Sequence, residues 1–141
     1  MSNSALINDA SVISLETEVA LDSPGYVLTL GSTAGTVTKV PADSGRDKVV
    51  GVALTDSKDI DGTAQSDVKV GVIVQRGTVV YLKLDDNNLE ISVNDPLCVD
   101  ASVDGVVDKR DGATNTADAI AIALEAKSAN AGGLIKALFI G

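Results

Sequence analysis

In parts of this chain apolar residues recur at every second position, the period of a strand with one face covered. Val68, Val70, Val72 and Val74 alternate with Lys69, Gly71, Ile73 and Gln75. Shorter runs rich in β-branched residues flank them: Val27 to Leu30, Val37 to Val40, Val49 to Leu54, Val79 to Leu84, Leu89 to Val93, Leu97 to Val99 and Val106-Val107. Turn formers separate these runs at intervals of about ten residues, the spacing of an all-β sandwich or barrel. The polar stretch from Asp56 to Asp67 predicts one long loop.

The runs fall into two related sets. Val49-Val50-Gly51-Val52-Ala53-Leu54-Thr55-Asp56-Ser57 returns as Ala119-Ile120-Ala121-Ile122-Ala123-Leu124-Glu125-Ala126-Lys127. Gly25-Tyr26-Val27-Leu28 and Gly35-Thr36-Val37-Thr38-Lys39 precede the first copy. Asp95-Pro96-Leu97-Cys98-Val99 and Gly105-Val106-Val107-Asp108-Lys109 precede the second. An apolar strand follows each copy, Val68 to Val74 and Leu134 to Ile140. The chain therefore predicts a mainly β fold, a compact small barrel or sandwich built from two related β units. Taking the large residues as the inward set predicts Val52, Leu54, Val70, Val72, Ile122, Leu124 and Ile140 buried. Residues 117–127 are Ala-rich, with Thr116 and Gly132 as candidate caps, which fits a helix. The period-two placing of Ile120, Ile122 and Leu124 and the echo of Val50, Val52 and Leu54 favour a strand.

Residues 1–24 stand apart. Leu6, Ile7, Val12, Ile13 and Leu15 are apolar residues in a polar, turn-punctuated segment closed by Ser23-Pro24-Gly25. The segment reads either as an extended N-terminal arm or as an edge strand, with 25–141 as the β domain. The five apolar residues are the candidate contact residues for a partner.

Composition narrows the function. The 141 residues match one domain, with 45% apolar residues but only 2% aromatic. A net charge of −9 disfavours nucleic acid and anionic membranes as partners. No apolar run approaches the ~20 residues of a membrane span. Met1-Ser2-Asn3-Ser4 lacks the basic start of a secretory signal, so a soluble product made in the cytoplasm is expected. Histidine is absent, and Cys98 lies between Leu97 and Val99, as a buried structural thiol would. No motif sets a base beside a Ser or Thr nucleophile, and Gly31 to Gly35 lacks the ending of a phosphate loop. Asp59-Ile60-Asp61-Gly62 matches part of a calcium loop, but Ser57 and Val68 stand where the first Asp and the bidentate Glu belong. Asp85-Asp86-Asn87-Asn88 reads as a solvated turn. The expectation is no enzyme, no metal and no cofactor.

Three stretches carry a family resemblance. They are Val50-Gly51-Val52-Ala53-Leu54-Thr55-Asp56, the valine alternation into Gln75-Arg76-Gly77, and Asn94-Asp95-Pro96-Leu97-Cys98-Val99 running to Gly105-Val106-Val107. With the ending Ile122-Ala123-Leu124-Glu125-Ala126 and Gly132-Gly133-Leu134-Ile135, they resemble the small capsid decoration, or cement, proteins of tailed bacteriophages and related viruses. Asn94 replaces the Gly that usually opens the Asp-Pro-Leu turn. The resemblance implies a compact β domain, a homotrimer and a position on the outer capsid surface of the virion. It also implies a major capsid protein as partner, whose lattice the chain stabilises, with an N-terminal arm adding contact. A phage fibre, tail or adhesin module is the alternative, and a small-molecule-binding β domain or enzyme subunit a further one.

Overall fold

The period-two stretches become strands in the computed structural model, which describes residues 12–141. The first half holds β1 (Val12–Thr17), β2 (Val27–Leu30), β3 (Thr36–Lys39), β4 (Gly51–Ala53) and β5 (Val68–Ile73). The second holds β6 (Val79–Lys83), β7 (Pro96–Val99), β8 (Val107–Lys109), β9 (Ala119–Ala123) and β10 (Leu134–Phe139). A single 3-10 turn at Arg46–Lys48 is the one helical element among the described residues. The Ala-rich stretch is therefore a strand, as its echo of β4 requires. Leu89 to Val93 does not form the expected return strand. Ile91 alone bridges to Lys127, and its buried side chain plugs the second unit.

The echo extends to topology. The first sheet runs β1-β3-β2-β4-β5 and closes into a barrel through β1 against β5. The second runs β6-β10-β9-β7-β8. Matching β6 to β1 and β10 to β5 makes the two orders identical. Registers repeat as well. Val27 pairs with Val52 and Leu28 with Gly51; Pro96 pairs with Ile122 and Leu97 with Ala121. Val52 opposes Ile73 and Ala53 opposes Val72; Ile122 opposes Leu138 and Ala123 opposes Ala137. Even the turn before β7 is preserved. Gly25 has φ +93°, and Asn94 in its place keeps φ +76°, a conformation Asn tolerates better than most side chains.

Registry fixes which residues fill each unit. Leu28, Ala53, Val70 and Val72 lie inside the first barrel with Val37. Their counterparts Leu97, Ala123, Ile135 and Ala137 lie inside the second with Val107. A five-stranded barrel is narrow, so small residues suit its interior. At Gly51 a Cβ would run into the Ile73 carbonyl oxygen, so the strand approaches β5 too closely for any side chain.

This corrects the predicted inward set. Val52, Val70 and Val72 are buried, but Leu54 is 48% exposed and Leu124 36% exposed, while Ile122 and Ile140 are half-buried. In β4 and β9 Ala53, Ala121 and Ala123 are buried inside, while Val52 and Ile122 lie on the outer wall; Ile120, also in β9, is fully buried in the core cluster. Changing that phase by one residue turns every side chain to the other face. Val52 is buried although it lies on the outer wall, because the second unit covers it.

One of the two core clusters spans both units. The second sheet is bridged between its edge strands only at Leu84 and Val107. The first barrel fills the rest of this seam. Lys83 donates its N–H to the Gly25 carbonyl (2.9 Å), and Val27 donates to that of Gly105 (2.8 Å). Val27, Val40, Val52 and Ile73 from the outer wall of the first barrel join Val80, Val99 and Phe139 in one packed cluster.

Candidate functional site

The candidate contact residues have different fates. Val12, Ile13 and Leu15 lie in β1, which is paired with β3 on one side and β5 on the other. Val12 packs against the shared core and Leu15 against the interior of the first barrel. Ile13 is 38% exposed. Leu6 and Ile7 lie outside the described residues.

Acidic groups mark where the two units diverge. In the first, Glu18 follows β1 and reaches over the turn between β2 and β3. Its Oε2 accepts hydrogen bonds from the hydroxyls of Ser32 (3.0 Å) and Thr36 (2.7 Å) and from the Thr33 N–H (3.0 Å). The Thr36 hydroxyl above all, then the Thr33 amide, holds its pKa down to about 2. Gly31 makes the room, since a Cβ there would lie 2.6 Å from the Glu18 carboxyl carbon.

In the second unit Asp85 takes the place of Glu18, and Asp100 the place of Gly31. Asp100 anchors its own turn, its Oδ2 accepting from the N–H groups of Ser102 (2.9 Å) and Val103 (3.0 Å). Asp85 is thereby left facing Asp100 and Asp108, with one oxygen of each within 4.8 Å of the others. Asp108 Oδ1 accepts from the N–H groups of Lys109 (2.7 Å) and Leu89 (3.0 Å). Asp100 and Asp108 are buried. Burial raises the pKa of Asp85 and of Asp108, and the Asp100 charge adds to both. Such oxygens are donors a hard cation accepts, but the amide bonds to Asp100 and Asp108 give the cluster a clear turn-anchoring role. The sequence reading missed it because Asp100 and Asp108 sit apart from the Asp85 turn. The signal available was the echo, which sets an acid at 100 opposite a glycine at 31.

Asp108→Asn is expected to raise stability by about 1 kcal/mol at pH 7, because it removes one of the crowded charges and keeps Oδ1 as an acceptor. A carboxyl with a raised folded pKa penalises the fold above that pKa and not below its unfolded value. The advantage of the variant should therefore shrink as pH falls toward 4, the ordinary carboxyl range. Thermal melts of both proteins at the two pH values check this; a constant difference would contradict it.

Other candidate chemistry resolves into structure. Cys98 is fully buried, and burial pushes its thiol up to about 12, far from a thiolate nucleophile. In the partial calcium loop, Asp59 Oδ1 accepts from the N–H groups of Asp61 and Thr63, both at 3.0 Å, and its Oδ2 from the Gln65 amide (3.1 Å). Those bonds tie the loop to itself. A hollow lined by Arg46, Asp47, Arg76 and Asp118 balances two cations with two acids. A groove of about 190 Å³ between the units is apolar instead, lined by Leu54, Ile73, Val79, Tyr81 and Leu134 among others.

No protein-family model and no curated protein matches the sequence. The fold does have a solved counterpart. A chain in the structure described as "The capsid of Myoviridae Phage XM1" aligns with a TM-score of 0.60 at 17% identity. The alignment covers 92% of this chain and 82% of that one. At that identity the likeness is one of fold.

Proposed function

We propose that this chain is a non-enzymatic virion protein that binds the exterior of an icosahedral phage capsid and stabilises the lattice of major capsid subunits, acting as a homotrimer. The observation that carries the reading is the fold it shares, over nearly its whole length, with a chain of a phage capsid structure. The sequence resemblance to decoration proteins points the same way. The buried, protonated thiol and the carboxylates committed to turns leave the described residues with structural roles. Many modest contacts repeated over a lattice hold a protein by avidity, without a single dominant anchor.

Capsid contact falls to the N-terminal segment. Leu6 and Ile7 are the candidates for it, since Val12 and Leu15 are engaged in packing. Burying two such side chains is worth about 1.5–3 kcal/mol each before ordering costs. Deleting residues 2–11 spares β1 and should weaken binding by at least ~10-fold. Co-sedimentation with capsids assembled from the major capsid protein alone measures it. Failure of the full-length chain to sediment would overturn the function; unchanged sedimentation of the truncated chain would remove the segment from it.

A further inference from the structure

The repeat leaves two surfaces unmatched. A register-aligned row crosses the outer wall of the first barrel: Val12 opposite Ile73, Ile73 opposite Val52, Val52 opposite Val27. This row is covered, in the cluster that also holds Val80, Val99 and Phe139. The second unit carries the equivalent row, Val79 opposite Leu138, Leu138 opposite Ile122, Ile122 opposite Pro96. It is equally apolar and, among the described residues, it is left partly open to solvent. Val79 is 52% exposed, and the other three are half-buried.

The complementary surface is duplicated too. Val80, Val99 and Phe139 are inward-facing residues at one end of the second unit, where the first barrel packs. By strand register their counterparts in the first barrel are Ile13, Leu30 and Val74. These gather at one end of that barrel, where β1 starts and β2 and β5 finish. Here the apolar side chains meet solvent. Leu30 is 64% exposed, and Ile13 and Val74 are partly so. Each chain thus contains one matched row and barrel end, and one unmatched example of each.

We infer that copies of this chain associate head to tail, the Val79–Leu138–Ile122–Pro96 row of one copy packing on the Ile13–Leu30–Val74 end of the next. The contact repeats between chains the apolar part of the one that joins the two halves within a chain; the seam bond from the Val27 N–H is not repeated, because its counterpart Pro96 has no N–H. It is a heterologous interface, so closure gives a ring rather than a two-fold dimer. It names the surfaces behind the trimer in the proposed function, but its test uses no capsid.

Light scattering on the purified full-length chain at micromolar concentration is expected to give a multiple of 14.3 kDa. Val79→Lys spoils the row and Leu30→Glu spoils the barrel end, both at exposed positions that keep the fold. Each variant alone should run as a single chain. Mixed, they should form a one-to-one pair, because one interface with both surfaces intact remains. Tyr81→Lys, beside the row and 55% exposed, repeats the first arm if Val79→Lys fails to fold. A single-chain mass for the full-length protein would overturn the inference, including the case in which deleting residues 2–11 then releases association, since the row would be covered by the chain itself. Variants that keep the parental mass, or a mixture that stays as single chains, would overturn it as well.

Discussion

Deleting residues 2–17 should abolish cooperative folding, whereas deleting 2–11 should not. β1 pairs with β5 through every residue from Val12 to Thr17 and meets β3 in parallel at Glu16 and Thr17. Thr17 is fully buried, and its carbonyl accepts the Asp67 N–H at 2.7 Å. Without the strand, β3 and β5 become open edges with unpaired backbone groups, and the interior around Val37, Val70 and Val72 is opened to water. The loss would not stay local, because the second unit leans on the outer wall of that same barrel. Circular dichroism during thermal melting reads the result. A sharp transition in the 2–17 deletion near that of the full chain would show that the barrel does not depend on β1.

Phe139→Ala should cost about 3–5 kcal/mol, the range for truncating a buried ring. Phe139 is the only phenylalanine in a chain with 2% aromatic residues, and it is 2% exposed at the end of β10. Its surroundings are Val, Leu, Ile and Ala held in strand ladders, which cannot collapse into the space it leaves. Its backbone carries the turn between the units as well, donating to the Thr78 carbonyl (2.9 Å) and accepting from Gly77 (2.7 Å). Those bonds survive the substitution, so the loss reports packing. Urea denaturation measures it; a change below about 1 kcal/mol would mean that the cavity refills.

The two halves and most of their strands are legible because the echo joins residues of like role; the strand pairing is not, and Leu89 to Val93 reads as a strand without forming one. Val52 and Ile122 occupy matching register positions, as do Gly25 and Asn94. The inward phase was not legible. Hydrophobicity marks Leu54 and Leu124 as core, while a narrow barrel takes Ala53 and Ala123 instead. Nor does periodicity reveal that one outer wall is buried and its twin exposed, since Val52 and Ile122 differ only in what the rest of the chain lays over them. The Asp85, Asp100 and Asp108 cluster stayed hidden for a similar reason. Its members come from separate turns that only the closed sheet brings together.

The seam filled by Gly25 and Val27 also gives the chain a direction in time. The first barrel closes on its own ladders, whereas the second unit needs the finished surface of the first to complete its seam. A chain made from its N-terminus assembles domains in that order. The part that must exist first is thus the part synthesised first, and the later half emerges onto a template already in place. A circular permutant that reversed this order would release the dependent half into solution with its seam open, exposed to wrong partners until its template arrived.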